Sequence, residues 1–305
     1  MKVLMLVIDQ QRIQLESLYQ SINQNCDLDL RRLNSKEQAN LARYFRKNID
    51  LKKYQRIILF VRFKWLYRQT AFTRRLPNVV MLEHDAWQNY FPESKYAGKF
   101  SRHYKAMPWV RILVSGATLA EKLKGEGFDA QFVPKGYDQL LLKNKDEERT
   151  VELGFIGSIQ HDTYCKRRLF LEQMKEEMGL FITRTESGRE YLDMLNKIKF
   201  FLSADIGFGE NMAKNFEAMA CGCVLLAYDQ GEKEAKALGF EDMVNVVLYS
   251  NSTELKEKLA LLRGDSQLAI KIEKKGQELA ESTFSLDIVG KRLLMQSAQI
   301  LEKKV

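Results

Sequence analysis

Short apolar runs alternate along the chain with longer stretches in which apolar residues recur every three to four positions. The short runs predict buried strands, and the longer periodic stretches predict amphipathic helices. In the first half, strands are predicted at Lys2–Ile8, Leu28–Leu33, Arg56–Val61, Val79–Leu82 and Ile112–Ser115, with a last strand opening Phe132–Asp138. Helices are predicted at Arg12–Asn25, Glu37–Asn48, Tyr96–Ala106 and Ala117–Gly125. This alternation predicts βαβ units that form a parallel sheet.

The alternation starts again after a charged, non-periodic stretch at Lys143–Thr150. The strands predicted there are Val151–Ile156, Leu180–Ile182, Lys199–Leu202, Val224–Ala227 and Val246–Leu248. The helices are predicted at about Tyr164–Met178, Gly188–Asn196, Asn211–Ala220, Thr253–Leu262, Ser266–Ser282 and Leu286–Glu302. We therefore predict an α/β protein of two Rossmann-like, doubly wound parallel-sheet domains that face a cleft. The predicted domains are residues 1–142 and 151–285, with a C-terminal helix in 286–305 that packs back toward the N-terminal domain.

Hydropathy and cysteine usage indicate a cytoplasmic protein. No segment approaches the roughly 18 uninterrupted apolar residues of a membrane span, and the apolar opening run has no signal-peptide cleavage site. The four cysteines follow no disulfide or zinc-binding spacing, and the close pair Cys221 and Cys223 has no ligand cluster nearby. We expect neither a metal site nor any other cofactor.

Positive charge is concentrated in the first half of the chain. Residues 1–140 hold 24 Lys or Arg against 13 Asp or Glu, a balance of +11, whereas the remainder has a balance of −3. The densest part is 43–75, where bases alternate with aromatic residues at Arg62–Arg68. Such a segment suits an anionic membrane surface, an acidic glycan or nucleic acid. The alternative is that Phe63, Leu66 and Phe72 pack in the core while the charges are solvated.

Two segments of the second half carry candidate chemistry. Gly154–Ser158 ends a strand in Gly157 and Ser158, and the following helix carries Arg167 and Arg168. Glycine permits close backbone approach, and the N–H groups at a helix start favour phosphate. The alternative is a tight strand exit followed by two solvated arginines.

The second segment, Asp205–Ala227, has Gly207 and Gly209 in a turn after a strand and Asn211 as a candidate N-cap. At helical spacing, Glu210, Lys214, Glu217 and Cys221 are predicted to share one helix face. Carboxylates there accept hydrogen bonds from ribose or sugar hydroxyls, and a cation beside a helix N-terminus holds a diphosphate. The alternative is a solvated face of near-neighbour ion pairs.

The residues Phe216–Gly222 and the strand after them resemble the donor-site signature of GT-B glycosyltransferases. The pattern is most similar to the branch of spore-maturation (CgeB-like) proteins, which have R-x-F-E-x-x-A-C-G. The resemblance extends over about residues 151–300 and includes Asp229–Gly231, Asn245–Tyr249, Ser252–Leu255 and Ile272–Phe284.

The resemblance implies roles for individual residues. Glu217 matches the family glutamate that holds the nucleotide ribose, and Lys214 stands where the family pattern has a phosphate-binding arginine. Gly209 occupies the place of an earlier family glutamate, and Glu210 beside it is the candidate replacement. Gly157, Ser158 and Arg168 match the phosphate loop loosely.

In the first half, Val79–Trp87 ends a strand in Glu-His-Asp beside an aromatic residue. The resemblance places this H-D-x-W pattern at the interdomain cleft. His84 and Asp85 are then candidates to orient an acceptor hydroxyl or the leaving phosphate. The alternative is a capping aspartate and a structural histidine.

These observations together predict a glycosyltransferase of the hexosyltransferase type. It would move a sugar from a UDP- or GDP-sugar to a glycan or lipid-linked acceptor, in the biosynthesis of cell-surface polysaccharide. The resemblance implies retention of configuration and no metal requirement. We expect location in the cytoplasm, with an anionic membrane surface as a partner on its inner face, and we do not expect nucleic acid.

Two alternatives belong to other classes. One is a noncatalytic module on the same fold that binds a nucleotide sugar or a polyanion. The other is a phosphorylase or epimerase, which requires further catalytic groups that the sequence does not offer.

Overall fold

The computed structural model describes residues 1–9, 15–159, 165–207 and 209–298. The chain divides into two compact units: the first combines Met1–Pro134 with Asp287–Val305, and the second is Lys135–Leu286. The boundary between the units lies at 134/135, before the charged stretch 143–150, because residues that precede this stretch form backbone contacts with the second unit. Tyr137 forms a parallel bridge with Ser285, for example.

The first unit contains a six-stranded sheet with the order β2-β1-β3-β4-β5-β6. Every neighbouring pair in it is parallel. The strands are β1 (Lys2–Ile8), β2 (Asp27–Leu33), β3 (Arg56–Phe60), β4 (Val79–Glu83), β5 (Arg111–Val114) and β6 (Asp129–Phe132). The strand order reverses at β1, which is flanked by β2 and β3, as it does in doubly wound sheets.

Helices cover this sheet and supply its core. They are α1 (Glu16–Asn25), α2 (Ser35–Gln38), α3 (Leu41–Asn48), α4 (Phe63–Arg68), α5 (Thr70–Thr73), α6 (Lys99–Lys105) and α7 (Ala117–Gly125). Two short 3-10 helices lie at Leu51–Lys53 and Ala86–Tyr90. Aliphatic strand residues such as Leu6, Leu59 and Ile112 form one cluster with Phe45 and Phe100 from the helices.

The second unit contains a five-stranded sheet with the order β11-β10-β9-β7-β8, again parallel throughout. Its strands are β7 (Val151–Ile156), β8 (Phe181–Thr183), β9 (Ile198–Ser203), β10 (Val224–Tyr228) and β11 (Val247–Tyr249). Its helices are α8 (Cys165–Met178), α9 (Arg189–Lys197), α10 (Ala213–Ala220), α11 (Glu232–Leu238), α12 (Ser252–Gly264) and α13 (Ser266–Thr283). The rings of Phe216 in α10 and Phe284 after α13 stack with centroids 4.1 Å apart, which fixes α10 against the end of α13.

The last described helix, α14 (Leu286–Ala298), belongs to the first unit from Asp287 onward. Its carbonyls accept hydrogen bonds from arginines of the first sheet: Arg56 donates to Ser297 and Ala298 at 2.7 and 2.8 Å, and Arg111 donates to Gln296 at 2.7 Å. Arg56 therefore binds the backbone of α14 and is only half exposed, although the sequence groups it with the basic run 43–75.

Most predicted strands agree with the structure to within one or two residues. The sixth strand begins earlier than predicted, at Asp129, and ends before Pro134, which cannot donate to a ladder. The helix predicted at Glu37–Asn48 is two helices, because Asn34 and Asn40 each cap a separate start with their side chains. Helices α4, α5 and α11 were not predicted. Parts of the predicted helices at Arg12–Asn25, Tyr164–Met178 and Leu286–Glu302 lie outside the described residues.

Within the described part of the chain, no helix combines the length and the apolar character needed to cross a bilayer.

Candidate functional site

In the second unit the strands β7, β8, β9 and β10 are parallel, so their carboxyl ends meet at one edge of the sheet. Hydrogen bonds tie the loops that leave this edge. Gly157 N–H donates to the carbonyl of Thr183 at 2.9 Å, and the Gln230 side chain donates to the carbonyl of Asp205 at 2.8 Å. The Gly157 amide therefore extends the β7–β8 ladder and is not a free donor for phosphate.

The loop from Asp205 to Met212, of which residue 208 is not described, is anchored by Asp205. One carboxylate oxygen of Asp205 accepts from the backbone N–H of Met212 at 3.0 Å and from the Asn215 side chain at 3.3 Å. Its other oxygen pairs with Arg167 at 2.7 Å. Two glycines in this loop, Gly207 and Gly209, have φ of 80° and 66°, in the left-handed region that favours glycine.

This arrangement corrects the predicted N-cap. Helix α10 starts at Ala213 with Met212 as its N-cap residue, which offers no side-chain cap. Asn211 is buried, and its side-chain oxygen accepts from Asn215 at 2.8 Å. Asp205, which lies seven residues before Met212, supplies the carboxylate at the start of the helix.

The predicted four-residue helix face is also only partly correct. Glu210 precedes α10 and lies in the loop, where it forms a buried ion pair with Lys135 at 3.0 Å. Cys221 is fully buried at the C-cap. The helix face therefore contains Lys214 and Glu217, which are one turn apart and half-buried.

Lys214 lies against the end of strand β7. Its Nζ donates to the carbonyl of Ile156 at 2.5 Å, and a Cβ added to Gly157 would lie 2.5 Å from this nitrogen. Glycine at 157 therefore leaves the space that the ammonium group fills. Burial lowers the pKa of Lys214, while the nearby charge of Glu217 acts in the opposite direction.

Glu217 is held by a tyrosine that the sequence did not indicate. The Tyr191 hydroxyl, on helix α9, donates to Oε2 of Glu217 at 2.5 Å. Burial raises the pKa of Glu217, whereas the Tyr191 hydrogen bond and the Lys214 charge favour its ionised form. The structure thus joins Lys214, Glu217 and Tyr191 in one polar group at the carboxyl edge of the sheet.

Two further cations act on this group through their charge. Arg167 and Arg184 both lower the pKa of Lys214 in this way. Arg184 follows directly after β8 and is exposed. The predicted phosphate-loop residues Ser158 and Arg168 are exposed and half-buried, respectively. Since 160–164 are not described, the loop that joins β7 to α8 is only partly defined.

In the first unit, His84 and Asp85 follow the carboxyl end of β4. The His84 ring contacts Phe60 at the end of β3 edge-on, with centroids 5.0 Å apart, and Asp85 is exposed. Glu83, just before them, is buried, and burial raises its pKa well above the ordinary value.

The basic run of the first unit is split by the sheet. Arg46, Lys47, Lys52 and Lys53 precede β3, whereas Arg62, Lys64 and Arg68 follow its carboxyl end in and around α4. Phe63 and Leu66 are buried in the core and Phe72 packs against it, so the core alternative is correct for these three residues. Lys64 and Arg68 lie over the Trp65 ring at 4.6 and 5.4 Å.

Among the described residues, no group of three or more His, Cys, Asp or Glu is placed to hold a metal ion. Sequence reasoning missed Lys135, Tyr191 and Asp205 as parts of the site, and it named Arg167 only beside Arg168 in the helix after β7. An acidic residue two positions after a strand was a usable signal for Asp205. Tyr191 and Lys135 are separated by 26 and 75 residues from their partners, and no local pattern reveals such pairs.

A family model described as glycosyl transferase-like matches residues 166–294. No curated protein sequence matches the chain. Among solved structures, HepE from Anabaena in complex with UDP-glucose is similar at 14% identity and TM-score 0.70, with 98% of this chain and 100% of that one covered.

Two further solved structures have the same architecture. Sucrose-phosphate synthase from Thermosynechococcus elongatus has 10% identity and TM-score 0.67, and the coverage is 96% and 97%. A glycosyltransferase from Rickettsia africae has 12% identity and TM-score 0.62, and the coverage is 99% of each chain. The chain thus has the GT-B fold of glycosyltransferases, and its residues 166–294 carry a glycosyl transferase-like sequence pattern.

Proposed function

We propose that this protein is a glycosyltransferase that takes a sugar from a nucleoside-diphosphate sugar. The observation that carries the proposal is the group formed by Lys214 and Glu217 on one face of α10, beside Gly157 at the carboxyl edge of the sheet. Edges of this kind are where doubly wound sheets bind nucleotides. The match to a glycosyl transferase-like model over 166–294, which includes Lys214 and Glu217, supports it, as does the presence of UDP-glucose in the HepE structure.

In this proposal Glu217 accepts hydrogen bonds from the ribose hydroxyls. The ammonium group of Lys214 keeps two protons after donating to Ile156, and these face the diphosphate together with the N-terminus of α10. Arg184 is exposed, its charge acts on Lys214, and it adds a second positive charge for the phosphates. Lysine provides a point charge and lacks the bidentate fork of the arginine in the CgeB-like pattern.

The proposed reaction retains configuration at the sugar. The departing diphosphate then helps to deprotonate the acceptor on the same face, and no enzyme nucleophile is required. His84 and Asp85 orient the acceptor hydroxyl or the leaving phosphate. Glu210 contacts the sugar, and its pairing with Lys135 keeps a carboxylate in the loop before α10. The proposed acceptor is a glycan or lipid-linked glycan of a cell-surface polysaccharide.

We propose that the reaction needs no metal ion, because the basic groups and the helix N-terminus take the place of a cation beside the diphosphate. We also propose that the enzyme works on the inner face of the membrane, where the basic residues after β3 contact anionic lipid.

A nucleotide titration tests this function. Isothermal titration calorimetry with UDP and GDP in the presence of EDTA is expected to detect binding, and incubation with UDP- or GDP-sugars is expected to release the nucleoside diphosphate. Binding that disappears with EDTA would contradict metal independence. Binding without turnover of any nucleotide sugar would favour a noncatalytic module, and binding of neither nucleotide would refute the function.

A further inference from the structure

We propose that Tyr191 is a positioning residue of the nucleotide site, which holds the Glu217 carboxylate in the orientation that receives the ribose. This inference rests on the proposed function. It adds a residue from α9 to a site otherwise formed by the edge of the sheet and by α10.

The geometry gives Tyr191 control over one of the two carboxylate oxygens. Its hydroxyl donates to Oε2 of Glu217 at 2.5 Å, across 26 residues of sequence. For the second oxygen, Oε1, the described residues provide no hydrogen bond in the structure. A carboxylate held at one oxygen has a defined plane, so the lone pairs of the other oxygen point in a fixed direction. The ribose then meets an acceptor that does not have to be ordered on binding.

Two groups counter the cost of burying the Glu217 charge. Tyr191 donates from α9, and Lys214 acts through its charge from one turn earlier on α10. Burial raises the pKa of the Cys221 thiol, which lies one turn later on α10. Burial also raises the pKa of Tyr191, so this hydroxyl remains a neutral donor through neutral pH. Tyr191 therefore helps to keep Glu217 ionised, and an ionised carboxylate is the form that accepts from ribose.

The test compares Tyr191→Phe with the wild-type protein by calorimetry between pH 5 and pH 8. The probe is whichever of UDP and GDP the wild type binds. Loss of the phenolic hydrogen bond raises the Glu217 pKa, and so the pH at which affinity falls on acidification should rise by about one unit. Near that pH, affinity for the nucleotide should fall about tenfold. With the 2′,3′-dideoxy form of the same nucleotide, wild type and variant should bind equally, because the ribose hydroxyls are gone.

Tyr54→Phe is the matched control. Tyr54 also donates to a carboxylate at 2.5 Å, that of Asp29, but it lies in the first unit. It should leave the pH profile unchanged. If the wild type binds its nucleotide while Tyr191→Phe retains the wild-type profile, the positioning role is refuted and the proposed function stands. If Tyr191→Phe weakens the affinity for the ribonucleotide and the dideoxynucleotide equally, the positioning role is also refuted, because that result indicates a structural role. If the wild type binds neither nucleotide, the proposed function itself fails.

Discussion

Replacing Glu217 with alanine separates nucleotide binding from folding. A charged acceptor lost from the ribose is worth about 1.5–3 kcal/mol, which corresponds to a roughly ten- to 150-fold weaker affinity. Phe216 and Met219, which flank this position, are buried and pack on the other side of α10, so the fold should persist. We expect Glu217→Ala to abolish measurable sugar transfer.

The effect of this substitution on stability depends on pH. Folding raises the Glu217 pKa above its ordinary value of 4.5, so the folded protein binds the proton more tightly than the unfolded chain. The contribution of Glu217 to stability is therefore complete below pH 4.5 and is lost as the pH rises through the folded pKa. The alanine variant should gain stability relative to the wild type between pH 4.5 and neutral pH.

Calorimetric titration gives the affinity, and urea unfolding at several pH values gives the free energy of unfolding. An affinity for the nucleotide within a factor of two of wild type would remove Glu217 from the site. An unfolding free energy that falls relative to wild type as the pH rises would show that the carboxylate is not desolvated as described.

Two further predictions concern charges elsewhere. Lys135→Met should lower the free energy of unfolding, measured in urea, by about 3–5 kcal/mol, because it leaves the buried Glu210 carboxylate without its cation. Adding Glu210→Gln should recover most of this loss. A Lys135→Met variant with the wild-type free energy of unfolding would show that the pair is not buried in solution. Sedimentation with anionic vesicles should weaken when Arg62, Lys64, Arg68, Arg74 and Arg75 are changed to Gln, since each basic residue near anionic lipid contributes about 1 kcal/mol. Calorimetry should show unchanged nucleotide binding in that variant, and equal sedimentation of wild type with neutral and anionic vesicles would defeat membrane docking.

Local pattern was sufficient for the fold. Val3–Val7 and Phe200–Ala204 are buried runs of the length typical of parallel strands, and the spacing of such runs along the chain predicts the two sheets. The same reasoning placed Lys214 and Glu217 together, because residues three apart on a helix share a face. It failed for Glu210, since the helix begins at Ala213, two residues after the predicted start at Asn211.

Contacts between distant residues account for the rest. Gly207 and Gly209 indicate a turn, but they do not show where the loop ends and the helix begins. The start of α10 is set instead by the hydrogen bond from the Met212 N–H to the Asp205 carboxylate. The basic run 43–75 is continuous in sequence, but the short strand β3 carries it from one end of the sheet to the other. Charge counting along the chain therefore overestimated the size of any single basic surface.

The position of α14 has a consequence for the order in which the chain folds during synthesis. Residues of the second unit form one continuous segment, whereas the first unit needs Asp287–Ala298 to cover Ser21 and to receive the hydrogen bonds of Arg56 and Arg111. Domains generally fold as they emerge from the ribosome, with the N-terminal one first. Here the whole of the second unit, Lys135–Leu286, leaves the ribosome before the rest of α14, which belongs to the first unit. The first unit therefore completes its packing only after the whole of the second unit has been synthesised.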